Sequence, residues 1–340
     1  MEPVEKSLAA APAGSLDDGP AMSVDIGPAA AGVRLSWPEL PAPVRGWVHD
    51  RLGAPVVEAV TQPGGFSPGV AARLRCANGR RAFCKAVSSL ANPDSPGSHR
   101  TEARVAAALP ESAPVPRLLA AYDDGTWVAL LFTDIDGRQP ALPWHEKELA
   151  RVITALVELG DSLTPCPLPG ARTVGERLAE DFSSWRALAG AARSHPDLDA
   201  WSRRHLDQLA ELEASWPEAA AGNTLLHLDI RADNLLLSDH RVWFVDWPFA
   251  SRGAAWVDAV FFAPSVAMQG GPPPEELLRR HPAARNARPD AVLAVICALT
   301  GYFIERSLRP PPPGLPTLRP FQAAQGQVAR AWLARRTGWH

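Results

Sequence analysis

The segment His227-Leu228-Asp229-Ile230-Arg231-Ala232-Asp233-Asn234-Leu235-Leu236-Leu237, followed by Val242-Trp243-Phe244-Val245-Asp246-Trp247, constrains the fold more than any other stretch of the chain. An apolar strand, a tight polar loop and a second apolar strand ending in an acid would bring Asp229, Asn234 and Asp246 together at the strand ends. Phosphoryl transfer asks for such a set. One carboxylate orients and deprotonates an attacking hydroxyl, while a second carboxylate and an amide oxygen hold Mg²⁺ on the phosphates. An ordinary turn also favours Asp and Asn, but it does not call for an apolar strand ending in a further acid twelve residues later.

The surrounding chain has the size and composition for such a site. Its 340 residues leave room for two domains or one two-lobed unit at about 150 residues per domain. Lys+Arg 34 against Asp+Glu 37 gives a net charge of −3, so no chain-wide basic field favours nucleic acid. The four cysteines show no CxxC pairing, which argues against a zinc site or a disulfide framework and fits a cytoplasmic protein. Residues 1–34 are rich in Ala, Gly and Pro and lack the basic start and apolar run of a signal peptide. They are expected to stay disordered, and their deletion to leave stability and catalysis unaltered. The longest apolar run, residues 291–299, falls short of the ~20 residues that cross a bilayer, so no membrane is expected as partner.

The segment before residue 137 alternates as strands do. Strands are expected at 56–61, 70–76, 81–87, 117–122 and 126–132, with helices at 40–52 and 99–109. Asn78-Gly79 between two of them predicts a two-residue hairpin turn that places Cys84 opposite Arg73. Beyond residue 143 the apolar spacing becomes helical, with helices expected near 144–163, 174–190, 198–214, 253–262, 274–281, 289–307 and 320–336. Residues 223–245 are the one strand-like interruption. Only three lysines stand among 34 basic residues, which makes Lys85, inside an apolar strand, conspicuous.

Residues 227–246 resemble the catalytic and metal-binding loops of the aminoglycoside phosphotransferase family, the small-molecule relatives of protein kinases. The likeness covers most of residues 40–305. It implies an α+β, two-lobed, protein-kinase-like fold with a small β-rich N-lobe and a larger helical C-lobe. It further implies ATP and Mg²⁺ as cofactors and a small-molecule hydroxyl as acceptor. By the same resemblance Asp229 is the catalytic base, and Asn234 and Asp246 bind magnesium. Lys85 binds the α/β-phosphates and is held by Glu102, while Gly64, Gly65 and Gly69 belong to the phosphate-covering loop. Residues 132–137 form the hinge that meets adenine, with Asp134 and Asp136 either a polar hinge or candidates for the ribose, Asp134 the one carried as cofactor-binding. His227 braces the loop, and Asp258 is expected to brace or cap it.

The sequence also departs from the family. Leu228 stands where many members carry Gly, and Arg231 where many carry His. Arg231 is expected to reach the γ-phosphate with its fork of donors. Asp246-Trp247-Pro248 replaces Asp-Phe-Gly, and no Ala-Pro-Glu segment follows, which disfavours a protein kinase. A non-catalytic nucleotide-binding module is the other alternative, disfavoured by the complete set of site residues.

The expected organisation is a tail over 1–34, an N-lobe over 35–137, a C-lobe over 138–308, and a Pro-rich spacer with a final helix over 309–340. For the acceptor, charge gives opposite signals. Residues 141–220 carry 13 acids against 8 bases, and residues 281–340 carry 2 acids against 8 Arg. Glu180 and Asp181 are the acids expected to hold an amine-bearing acceptor.

Overall fold

The computed structural model describes residues 27–30, 32–66, 68–190 and 197–340. Residues 1–26 and 31 of the expected tail, and Ser67 of the glycine-rich turn, lie outside that set.

The smaller lobe begins with α1 (Ala42–Leu52) and continues as an antiparallel sheet of β1 (Val56–Thr61), β2 (Val70–Cys76), β3 (Arg81–Ser88), β4 (Leu118–Asp123) and β5 (Trp127–Phe132). Its strand order is β1-β2-β3-β5-β4, with α2 (Ser95–Ala108) inserted between β3 and β4. The period-two alternation divides the sheet into two faces. Leu74, Cys84, Ala86 and Leu131 pack with Val44, Val48 and Leu52 of α1. Val87, Leu130 and Phe132 pack with Ala106 of α2. Lys85, two residues before Val87, shares the α2 face.

Two local expectations shift. Arg75 pairs with Arg81, and Cys76 N–H bonds the Arg80 carbonyl at 2.9 Å, so the turn has three residues and closes on Gly79 at φ 82°. Cys84 therefore faces Ala72 rather than Arg73, because a left-handed glycine closes the longer turn with a bulge. All four cysteines are free. Helix α2 starts at Ser95, four residues earlier than expected. Pro96 occupies its first turn, where no intrahelical N–H is needed, and Asn92 Oδ1 accepts the Ser95 N–H at 3.1 Å.

The larger lobe opens with α3 (Glu146–Ser162), α4 (Val174–Arg177), α5 (Ser184–Gly190), α6 (Ala200–Arg204), α7 (Leu206–Glu213) and α8 (Trp216–Ala219). The short strands β6 (Thr224–Leu226), β7 (Leu235–Leu237), β8 (Val242–Phe244) and β9 (Ser251–Gly253) follow. The chain then runs through α9 (Val257–Met268), α10 (Pro274–Arg280), α11 (Pro282–Arg285), α12 (Pro289–Ser307) and α13 (Leu318–Thr337). The apolar run of α12 is core: Val295, Ile296, Cys297 and Ala298 are fully buried. Gly301 of α12 admits the Trp185 ring, since a Cβ there would lie 2.7 Å from it, and Trp185 Nε1 donates to the Cys297 carbonyl at 2.9 Å. Among the described residues, no helix is long and apolar enough to cross a membrane.

The helix expected over 174–190 is broken. Phe182 leaves helical geometry (φ −98°, ψ 33°) and packs against Trp216, Phe261 and Tyr302. Strand β9 was not expected from the sequence: β6 pairs with β9, and β7 with β8.

Val33 and Arg34, at the end of the expected tail, do not stay outside the fold. Val33 N–H bonds the Gly314 carbonyl at 3.1 Å, Leu35 N–H bonds the Gly69 carbonyl at 3.0 Å, and Gly69 N–H bonds the Val33 carbonyl at 3.2 Å. These bonds tie the N-terminal segment to both the glycine turn and the proline-rich spacer. A chain starting at residue 36 is therefore expected to unfold a few degrees below one starting at residue 27, as loss of about 1 kcal/mol per bond implies. Equal thermal midpoints for the two truncations would show that the segment adds nothing.

Candidate active site

The site forms where the sheet faces the catalytic loop. Lys85 lies mid-strand on β3, opposite Ala71 of β2 and Leu130 of β5. Its Nζ donates to Glu102 Oε2 of α2 at 2.6 Å and to Asp246 Oδ1 at 2.5 Å. Burial opposes the Lys85 charge, but the Asp246 and Glu102 carboxylates outweigh it and hold the ammonium above its ordinary range. The same pairing holds the Asp246 carboxyl below the usual carboxylate range against its own burial, whereas burial raises Glu102. Residues expected to cooperate across more than 160 positions thus meet in one ionic triad.

The catalytic loop is braced from below. Asp258, in the first turn of α9, accepts the N–H groups of His227 and Leu228, both at 2.8 Å. Burial pushes the Asp258 carboxyl up to about 6. His227 bonds the Val245 carbonyl through Nε2 at 3.0 Å and accepts the Asp229 N–H on Nδ1 at 3.2 Å, the tautomer these bonds require. Burial drops His227 to about 4, so it stays neutral and tethers the loop to the strand before Asp246. Leu228 takes φ 64°, a left-handed conformation natural to the Gly of the family pattern. The two loop N–H bonds to Asp258 hold it there.

Asn234 donates its amide to the Asp229 carbonyl at 2.8 Å and to Asp229 Oδ2 at 3.1 Å, which leaves its Oδ1 as an acceptor for a cation. Burial pushes the Asp229 carboxyl up to about 7, against the pull of Arg231. Asp246 sits at φ 71° after β8, a conformation Asp tolerates better than most residues.

Arg231 and Asp134 depart from expectation. Arg231 bonds Asp229 Oδ1 through Nη1 and Asp233 through Nε and Nη2 at 3.0 and 2.8 Å. Its guanidinium lies over Phe66 at 5.3 Å and Phe321 at 5.5 Å. The fork expected to reach the γ-phosphate is engaged in holding Asp229. The Asp134 carboxylate is 4% exposed and takes Arg73 at 2.7 Å and Arg81 at 2.8 Å, so ion pairs rather than an open ribose contact occupy it.

Lys85, Glu102, Asn234, Asp246, Gly64 and Gly65 line one cleft together with the apolar Val70, Phe83, Val115, Phe132 and Leu236. Thr133, Asp134, Ile135 and Gly137 line the same cleft, and Arg138 then pairs with Leu237 of β7. Gly69 is sterically required: a Cβ there would lie 2.3 Å from the Ala86 carbonyl. Sequence reasoning missed Phe66, Asp233, Phe321 and Arg34, the last of which also lines the cleft.

The model of the phosphotransferase enzyme family matches residues 64–292. The chain belongs to this family. Its members include the aminoglycoside phosphotransferases that the catalytic loop resembles, and their kinase-like fold is the one seen here. Spectinomycin phosphotransferase, solved with ADP and spectinomycin, aligns with a TM-score of 0.58 at 11% identity, covering 86% of this chain and 98% of its own. Choline kinase from Streptococcus pneumoniae aligns at 0.55 with 10% identity, covering 85% of this chain and 100% of its own. A choline/ethanolamine kinase family protein from Mesorhizobium loti aligns at 0.52 with 18% identity, covering 78% and 85%. At such identities the likeness speaks for the fold. No curated protein matches the chain.

Proposed function

We propose that this phosphotransferase moves the γ-phosphoryl group of ATP to a hydroxyl of a small molecule in the presence of Mg²⁺. The observation that carries the reading is that Lys85, Glu102, Asp246 and Asn234 line one cleft, with Asp229 held beside it by the Asn234 amide at 3.1 Å. A carboxylate and an amide oxygen form a hard donor set that suits Mg²⁺. Magnesium, when bound, supplies neutralisation of the phosphate charge. Lys85 positions the α/β-phosphates, and Asp229, oriented by Asn234 and Arg231, receives the acceptor's proton. The hydroxyl oxygen bonds to the γ-phosphorus while the β–γ bridging P–O bond breaks, leaving ADP. A module that only binds nucleotide has no use for a positioned base, which favours catalysis.

The acceptor's charge is the finer question, and here the packing bears on the sequence signals. Asp181, expected to hold an amine, is ion-paired with Arg306 of α12. Arg330 of α13 likewise approaches Asp199 at 3.4 Å. The acidic stretch and the basic C-terminal helices thus neutralise one another in part, and neither reports the acceptor's charge. Asp181→Asn is accordingly expected to lower thermal stability while changing the acceptor KM less than twofold, since an engaged carboxylate is not offered to a ligand. A many-fold rise in KM for an amine-bearing acceptor, reversed neither by salt nor by added Arg306→Gln, would restore the acidic cradle.

ADP release across a panel of neutral, cationic and anionic alcohols tests the function itself. Acceptor-dependent release with Mg²⁺, and none without it, is expected. ATP binding with no release for any acceptor would favour the non-catalytic module.

A further inference from the structure

We propose that Phe321 of α13 is a positioning residue for phosphoryl transfer. With Phe66 of the glycine turn it forms an aromatic corner that holds the Arg231 guanidinium, and through it the Asp229 carboxylate, in place for the attacking hydroxyl. The inference rests on the proposed reaction. It adds to that reading a helix that begins at Leu318, beyond residue 292 where the family match ends.

The three groups form a corner rather than a stack. The Phe66 and Phe321 ring centroids stand 5.2 Å apart with their planes at 71°. The Arg231 guanidinium carbon lies over Phe66 at 5.3 Å and over Phe321 at 5.5 Å. Both rings thus offer a face to the cation, which the ring quadrupoles attract. The nitrogens of the same guanidinium go to carboxylates: Nη1 to Asp229, and Nε and Nη2 to Asp233. A fork bonded at its nitrogens and covered by two rings has given up the freedom that a long side chain otherwise keeps. The bond it makes to Asp229 therefore has a fixed direction.

Phe321 is placed for this contact rather than for the core. It is 1% exposed, yet among the described residues it lies outside the apolar clusters of both lobes, whereas Ala329, Trp332 and Leu333 of the same helix belong to the core of the larger one. The helix is seated closely on α12, since a Cβ at Gly326 would stand 3.3 Å from Phe303 and 3.4 Å from Ile304. Its first turn is set by the Phe321 N–H bond to the Thr317 carbonyl at 3.1 Å. Just ahead, a Cβ at Gly314 would meet Pro68 at 3.2 Å. Gly32 passes between the Phe66 backbone and the Leu315 side chain, where a Cβ would stand 3.4 Å from each. The proline-rich spacer thus delivers α13 to the glycine turn. One wall of the corner comes from the turn expected to cover the phosphates, the other from the C-terminal helix, and the residue they hold orients the base.

A double-mutant cycle in the full chain tests the assignment, read as steady-state transfer from ATP with Mg²⁺ to the alcohol of the panel that gives the fastest ADP release. Phe321→Leu keeps an apolar side chain but removes the ring face. It is expected to lower kcat about 3- to 30-fold, the range of a cation–π contact, while KM for ATP and for the alcohol changes less than about twofold. Phe321→Tyr, which keeps the face, is expected to hold kcat within about twofold of wild type. In an Arg231→Gln background no cation occupies the corner, and adding Phe321→Leu is expected to cost less than about twofold. Equal loss of kcat with and without Arg231 would reduce Phe321 to packing and overturn the proposal. So would wild-type kcat in Phe321→Leu, a loss carried by KM, or the same loss in Phe321→Tyr as in Phe321→Leu. If Phe321→Leu does not fold by thermal melting, the same cycle with Phe321→Met decides. A wild-type chain that releases no ADP with any alcohol would remove the proposed function along with this inference, whereas an active wild type with additive losses would remove this inference alone.

Discussion

Asp229→Asn is expected to lower phosphoryl transfer by about 10²- to 10⁴-fold, the contribution of a general base, while folding and nucleotide affinity stay close to wild type. The supports of the loop predict that separation. Asp258 holds the backbone of His227 and Leu228, and His227 ties the loop to Val245, none of them through the Asp229 side chain. Arg231 keeps both bonds to Asp233 when the Asp229 charge is removed. The substitution is nearly isosteric, and its single amide oxygen keeps one of the two side-chain bonds that Asp229 accepts, from Asn234 or from Arg231. Single-turnover transfer on a responsive acceptor, together with calorimetric ATP affinity, checks it. Wild-type turnover would remove Asp229 from the mechanism.

Asp246→Asn is expected to abolish the gain in ATP affinity that Mg²⁺ confers, and to lower transfer by about 10²- to 10³-fold, the usual cost of removing one charge-stabilising group. Asn is preferred to Ala here because Asp246 sits at φ 71°, and Asn tolerates the left-handed region. The loss has two sources. The metal loses its charged oxygen ligand, and Lys85 loses one of its two carboxylate partners, keeping only Glu102. Titrating Mg²⁺ at fixed ATP separates them, because only the first makes affinity independent of magnesium. Magnesium-dependent affinity equal to wild type would contradict the role of Asp246.

The parts of this site that could be read from sequence are those whose meaning is local. His227, Asp229, Asn234 and Asp246 lie within one short stretch, and a strand-loop-strand reading suffices to bring them together. Lys85 was legible because lysine is scarce in this chain and this one interrupts an apolar strand. The alternation of β2 and β3 marked the sheet, but not its register: whether Asn78-Gly79 closes a two- or three-residue turn depends on the conformation of Gly79 rather than on residue type. The break at Phe182 escaped because helical spacing continues through it, and only the aromatic partners Trp216, Phe261 and Tyr302 show why the helix yields.

What could not be read depends on partners far along the chain. Arg34 stands in a stretch of small residues that looks unable to pack, yet it is bridged to Gly69, and its neighbour Val33 bonds Gly314 near the other end of the protein. Counting acids along residues 141–220 could not reveal that Asp181 is paired with Arg306. Arg231 has the chemistry for phosphate, and only its bonds to Asp229 and Asp233, with its position over Phe66 and Phe321, assign it to the base instead.

The most direct test of the central claim is phosphorus NMR of the products formed from ATP, Mg²⁺ and an acceptor that stimulates ADP release. The account predicts one new phosphate monoester on a hydroxyl of the acceptor, formed in step with ADP, dependent on Mg²⁺ and lost in Asp229→Asn. Inorganic phosphate as the sole product, or phosphate found on the protein rather than on the small molecule, would contradict it.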